Sequence, residues 1–318
     1  MRTHKSFIVS LVVTAVLGAG IAAQELTVPN KPTGTLRFAA IGDSGTGDSN
    51  QYRLAKVFTD LYQRFPYEFV LMMGDNMYGT ESARDFQRKF EIPYKPVLDK
   101  GVKFYASLGN HDSTNQRMYK LFNMNGERFY TFKPKDGVRL FALDSNYTDR
   151  PQLQWMEKEL AASGSDWKIM YFHHPIYSSG GRHGSDTALR DQLEPLFLKY
   201  GVDLVIAGHE HFYERLKPQK GIHYFISGGA GKLRRGDVRG QYTEKAFDDG
   251  FHFMIFEIEG DRLHFQVISD QNKTVDSGII TRRTVDNKAA PSQPAAPSTK
   301  PVPPQDKPST STAKPANP

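Results

Sequence analysis

The sequence predicts an α/β fold in which two mixed β-sheets pack face to face and are flanked by helices. Three observations lead there: strand-length apolar runs alternate with amphipathic helical stretches, the chain turns strand-rich from Ile222 onward, and most of the early runs stop at a glycine.

In order, "TLRFAAIG" (35–42), "FVLMMG" (69–74), "VKFYASLG" (102–109), "VRLFALD" (138–144), "WKIMYFH" (167–173) and "VDLVIAG" (202–208) read as buried strands. Between them, "NQYRLAKVFTDLYQRF", "SARDFQRKFEIPYKPVLDK", "RPQLQWMEKELAAS" and "SDTALRDQLEPLFLKYG" place apolar residues at helical spacing, with charged faces opposite. "IHYFISGG", "FHFMIFEIEG", "DRLHFQVIS" and "VDSGIITRR" complete the strand-rich finish, and no segment repeats.

Both ends differ in composition from this domain. Arg2 and Lys5 precede an apolar stretch from Phe7 to Ala23, the layout of a secretory signal over residues 1–23, with an uncleaved membrane anchor as the alternative. Residues 24–34 read as a short linker and 35–284 as the folded domain. Residues 285–318, nearly all Pro, Ala, Ser, Thr and Lys, read as a disordered tail, because they cannot bury enough apolar surface to offset their chain entropy. These ends imply a secreted or periplasmic protein, with the tail a solubilising extension or a surface tether.

The net charge of +6 belongs mostly to the ends: the signal contributes +2 and the stretch from Asn287 onward +3, leaving +1 on the domain. A nucleic-acid partner therefore has no electrostatic support. The locally basic "KLRRGDVR" (232–239) has no interleaved aromatics and reads as an exposed loop. The absence of cysteine excludes disulfides, thiolate metal sites and a cysteine nucleophile, so any metal is held by oxygen and nitrogen.

The chemistry collects where the strands end. "GDSG" (42–45), "GDNMY" (74–78), "GNHD" (109–112) and "GHEH" (208–211) each follow a buried run, and open α/β sheets place ligand sites beyond the carboxyl ends of their strands. The inventory there is Asp43, Asp75, Tyr78, Asn110, His111, Asp112, His173, His174, His209 and His211. Of the 10 histidines, His111, His173, His174, His183, His209 and His211 fall in or beside these turns. So many oxygen and nitrogen donors exceed the four or so that one zinc takes, and they suit two ions sharing a bridging carboxylate. Such a pair can hold a hydroxide and neutralise a phosphoryl group during in-line displacement.

The ordered set Gly42-Asp43-Ser44-Gly45, Gly74-Asp75-Asn76-Met77-Tyr78, Gly109-Asn110-His111-Asp112, His173-His174-Pro175 and Gly208-His209-Glu210-His211 resembles the calcineurin-like metallophosphoesterase superfamily. Within it, the chain is similar to the purple acid phosphatases, of the small single-domain, tartrate-resistant type. The likeness runs from about Leu36 to about Ile280 and includes "YGVDLVIAGHEHFYERL", "YFISGGAGK" and "QLQWMEKEL". The β-rich amino-terminal domain of the plant enzymes is missing, as is any cysteine for the mammalian disulfide.

The resemblance implies that Asp43, Tyr78 and His211 bind a ferric ion, that Asn110, His173 and His209 bind a divalent ion (Fe, Zn or Mn), and that Asp75 bridges both. It implies that His111 contacts substrate phosphate. His183 falls near a second such histidine through a loop alignment, and His174 orients its ligand neighbour or the loop. A ferric ion would explain Tyr78, because free tyrosine titrates near pH ~10 and only a strongly polarising cation holds it as phenolate at acidic pH. The alternative is that Tyr78 only packs beside two divalent ions, as in the phosphodiesterase branches.

The expected activity is hydrolysis of phosphate monoesters by in-line attack of metal-bound hydroxide, acid-active, on small phosphorylated substrates, by a monomer without stable membrane insertion. A phosphodiesterase or nucleotidase is the enzymatic alternative, and a catalytically dead binding module the other. Asn146, Tyr177 and Arg182 are expected substrate contacts, with Tyr147 and Arg234 on nearby loops. "SGGAGKL" lacks the glycine spacing of a P-loop and has no Ser or Thr after Lys232.

Overall fold

The computed structural model describes residues 25–283; the expected signal (1–23) and tail (285–318) lie outside them. In chain order the elements are β1 (Leu36–Ile41), α1 (Ser49–Leu61), β2 (Phe69–Met73), α2 (Ala83–Phe86), a π-helical turn (Gln87–Glu91), α3 (Ile92–Leu98) and β3 (Lys103–Ser107). There follow β4 (Tyr130–Lys135), β5 (Val138–Ala142), α4 (Arg150–Ala161), β6 (Trp167–Phe172), α5 (Thr187–Tyr200) and β7 (Leu204–Ala207). The finish is β8 (Tyr213–Leu216), β9 (His223–Ser227), β10 (Thr243–Phe247), β11 (His252–Glu259), β12 (Arg262–Ser269) and β13 (Thr274–Thr281).

Two mixed sheets result, ordered β13-β12-β11-β1-β2-β3 and β10-β8-β9-β7-β6-β5-β4. Strands β1, β2 and β3 run parallel in the first, and β5, β6, β7 and β9 in the second. Side-chain alternation explains why their sequences are continuously apolar: each face has its own cover. Leu36, Phe38 and Ala40 of β1 join Leu140, Ile169 and Leu204 in the core between the sheets. Ala39 and Ile41 pack outward with Leu54 and Phe58 of α1, while Met170 and Phe172 of β6 pack outward with Met156 of α4 and Phe197 of α5.

Two expectations are corrected, and three strands are added. The described part of the linker is docked: Val28 is buried, Thr27 N–H donates to Gln266 Oε1 at 2.9 Å and Lys31 N–H to Glu257 Oε1 at 2.8 Å. The single helix read over 82–100 is broken into α2, the π turn and α3, with Pro93 and Pro96 in the last of these. Strands β4, β8 and β10 were not legible. β4 and β10 are sheet edges, β4 shifts register around Pro134, and β10 is largely polar.

Candidate metal centre

The parallel strands of both sheets end at one place. Sheet one supplies Asp43 after β1, Asp75 and Tyr78 after β2, and Asn110 after β3; sheet two supplies His173 after β6 and His209 and His211 after β7. Asp43, Asp75 and His209 all adopt left-handed backbone conformations, with φ of 57°, 49° and 68°. Such strain in non-glycine residues persists only where the surroundings fix it. Here the turns hold one another: Asp43 N–H donates to Gly74 O at 3.0 Å, and His209 N–H donates to Asp43 Oδ2 at 2.9 Å.

The donor atoms fall into two groups. In the first, Tyr78 Oη lies 3.1 Å from Asp43 Oδ1 and 3.3 Å from His211 Nε2, which is 3.4 Å from Asp43 Oδ1. In the second, His173 Nε2 lies 2.9 Å from Asn110 Oδ1 and 3.1 Å from His209 Nδ1, and His209 Nδ1 is 3.1 Å from Asn110 Oδ1. Donors about 2.0–2.2 Å from a shared ion stand at such separations. Asp75 lies between: its Oδ1 is 3.4 Å from His173 Nε2, and its carboxylate also faces Tyr78.

The chemistry of these atoms calls for cations. His173 Nδ1 faces Met73 O at 2.9 Å, and a carbonyl can only accept, so Nδ1 carries the proton and Nε2 turns a lone pair toward Asp75 Oδ1. Two acceptors facing each other in a buried site lack the positive charge that would join them. Burial, then the Asp75 charge, pushes Asp43 well above the usual carboxylate range. Burial, then Asp43 and Asp75, pushes the Tyr78 phenol far up. Burial pulls His173 well down, His209 down to about 2 with help from His173, and His211 down to about 4 with help from Arg234. The imidazoles therefore present neutral nitrogen donors, the form that ligates metal. The residues present fit two ions.

The remaining expected residues surround this centre, with one exception. The exposed His111 ring sits 4.9 Å from the Tyr78 ring, and the His111 backbone N–H donates to Asp75 Oδ1 at 3.0 Å. With Glu81, Phe86, Asn115 and Tyr119 it lines a cavity of about 800 Å³. His183 stacks on His209 at 4.2 Å, with Nδ1 3.6 Å from Glu210 Oε2. Arg182 is exposed beside it. Asn146 lines a second cavity of about 440 Å³ with Asn110 and His174, but its Nδ2 donates to Leu108 O and Gly109 O at 3.3 Å, holding the Asn110 turn. His174 Nδ1 bonds Ser145 Oγ at 2.9 Å, and its ring lies 4.6 Å from His209.

Tyr177 is the exception. It is buried in the core under sheet two, and its hydroxyl donates to Glu194 Oε1 at 2.6 Å, so it is not available as a substrate contact.

Three roles were missed. Asp112 clamps two of the turns, Glu210 anchors a loop and Lys232 reaches Tyr78. Glu210 is fully buried; it accepts Gly184 N–H at 2.9 Å and Arg234 Nη1 at 2.7 Å, tying down the loop that carries His183. Its place in "GHEH" between two ligand candidates was the available signal. Lys232 follows the glycines of "SGGAGKL".

Residues 36–213 match the calcineurin-like phosphoesterase family, and the chain belongs to it. The sequence is 30% identical to mouse (Mus musculus) tartrate-resistant acid phosphatase type 5, over 68% of this chain and 78% of that one. It is 28% identical to purple acid phosphatase 7 of Arabidopsis thaliana, over 89% of this chain and 99% of that one. The structure is similar to purple acid phosphatase PPD1 from yellow lupin (Lupinus luteus) seeds, with a TM-score of 0.64, 18% identity, and 80% of this chain and 55% of that one covered. The chain is thus a purple acid phosphatase-like metallophosphoesterase, a family that implies a dinuclear metal centre.

Proposed function

We propose that this enzyme hydrolyses phosphate monoesters, with Asp43, Tyr78 and His211 holding a ferric ion, Asn110, His173 and His209 a divalent one, and Asp75 spanning the two. When bound, the ions supply an activated water nucleophile and Lewis acidity toward the phosphoryl oxygens. The observation that carries the reading is the pair of donor groups with Tyr78 Oη in the first. A phenol that burial and two carboxylates keep protonated would lose its proton to solvent only where a strongly polarising cation took the proton's place on the oxygen.

His111 stands at the open side of the centre, where it holds phosphoryl oxygens and gives a proton to the departing alkoxide. His183, held against Glu210 and His209, meets the same phosphoryl group from the other sheet. The composition of the two ends supports an exported protein, with catalytic domain 35–284 between a signal and a tail rich in Pro, Ala, Ser, Thr and Lys. Initial rates on an aryl monoester, a diester and a nucleotide test the specificity, and the monoester is expected to be fastest. Asp75→Ala should lower that rate at least ~1,000-fold; a purified variant retaining most of it would overturn the assignment.

A further inference from the structure

The glycine run before Lys232 is pressed onto the first metal turn. Ala230 N–H donates to Gly42 O at 3.1 Å. A Cβ added at Gly228 would meet Asp43 Oδ2 at 2.7 Å, and one at Gly231 would collide with Ser44 O. These glycines serve close approach of one backbone to another, which leaves the lysine that follows them beside the centre. Its Nζ lies 4.7 Å from the middle of the Tyr78 ring.

The Lys232 side chain is half-buried, and among the described residues no carboxylate pairs with it and no oxygen accepts a hydrogen bond from it. Arg234, two residues on, is by contrast bound to Glu210 and Asp237. Among the described residues the Tyr78 ring face is the one contact of Lys232 Nζ, which leaves the ammonium's N–H donors and its charge to be completed by an anion. His111 and Lys232 both lie within 5 Å of the centre of the same tyrosine ring, one of the residues of the first donor group.

We propose that Lys232 is a substrate-contact residue, whose ammonium holds a phosphoryl oxygen of the substrate and of the phosphate product on the Tyr78 side of the centre. This rests on the phosphatase reading above. The test is calorimetric titration of the metal-loaded protein with inorganic phosphate, normalised to loaded sites, beside KM and kcat on the monoester.

In Lys232→Met, which keeps an unbranched apolar stem and removes the ammonium, the phosphate Kd and KM should each rise about tenfold or more, with a smaller change in kcat. Lys232→Arg should stay within about threefold of wild type. Loaded Lys232→Met that binds phosphate like wild type would overturn the inference, as would an unchanged Kd accompanied only by a shifted visible spectrum, which would make Lys232 a tuner of Tyr78. A wild-type protein that neither binds phosphate nor turns over the monoester would instead overturn the phosphatase reading.

Discussion

Asp112 accepts hydrogen bonds from the backbone N–H groups of Gly109 (2.8 Å), Asn76 (3.1 Å) and Met77 (2.9 Å), and from the side-chain amides of Asn76 (3.1 Å) and Gln116 (2.7 Å). It therefore fastens the turn carrying Asp75 to the turn carrying Asn110. Burial, then the Asp75 charge, pushes its pKa up to about 8, against the pull of those donors. Asp112→Asn replaces one acceptor by a donor facing donors, so metal affinity should fall roughly 10–100-fold. Titration of the apoprotein with metal, with near-native circular dichroism as the control, measures this. The residue was legible in "GNHD" as part of a cluster, but its role was not, because it depends on two turns 36 positions apart meeting in space. Tyr177 fails in the opposite direction: an aromatic beside a site loop reads as pocket lining, and only its bond to Glu194 reveals a core residue.

The strand-end turns work because glycine lets them touch. Gly74 has φ +81°, and an added Cβ would meet Gly109 N and His173 Nδ1, both at 2.7 Å. Gly79 has nearly the same φ, +76°, and open space around it. Alanine at Gly79 should therefore cost only the backbone strain, about 1 kcal/mol, whereas alanine at Gly74 should cost at least about 2 kcal/mol more. Paired urea melts check the difference, and Gly74→Ala should also lose bound metal.

The π turn also serves the site. Pro93 cannot donate to Lys89 O, which accepts Gln51 Nε2 from α1 at 2.5 Å instead, and Lys89 Nζ reaches Tyr78 O at 2.7 Å. Apolar periodicity predicted helix through this stretch and was right about the face. The interruption depends on a partner in another element, which periodicity does not report.

At the scale of the molecule, the centre is a seam between the sheets, since four of its donors come from one and three from the other. Ions that bind only the folded arrangement stabilise it, so chelation should lower the melting temperature by several degrees. A second whole-molecule dependence comes from His252, fully buried, its pKa pulled by burial down to about 4 against the opposing pull of the Gly250 backbone. The unfolded chain takes up that proton near pH ~6.5. Stability from this residue is therefore complete above that pH and is lost as pH falls toward 4, by on the order of 3 kcal/mol. His252→Phe, beside the Tyr213 and Phe247 rings, should flatten that part of the stability profile relative to wild type in the same metal state. The parallel cores of both sheets were legible because buried strands leave unbroken apolar runs. The edge strands β4 and β10 were not, because their residues answer to solvent and to one neighbour.

Tyr78 is proposed to ligate a ferric ion beside a divalent one. Metal analysis of the purified protein, together with its visible absorption spectrum, tests it most directly. Iron in the protein and a violet phenolate band that disappears in Tyr78→Phe at unchanged iron content are expected. A colourless protein holding two divalent ions, or a band that survives the substitution, would contradict it.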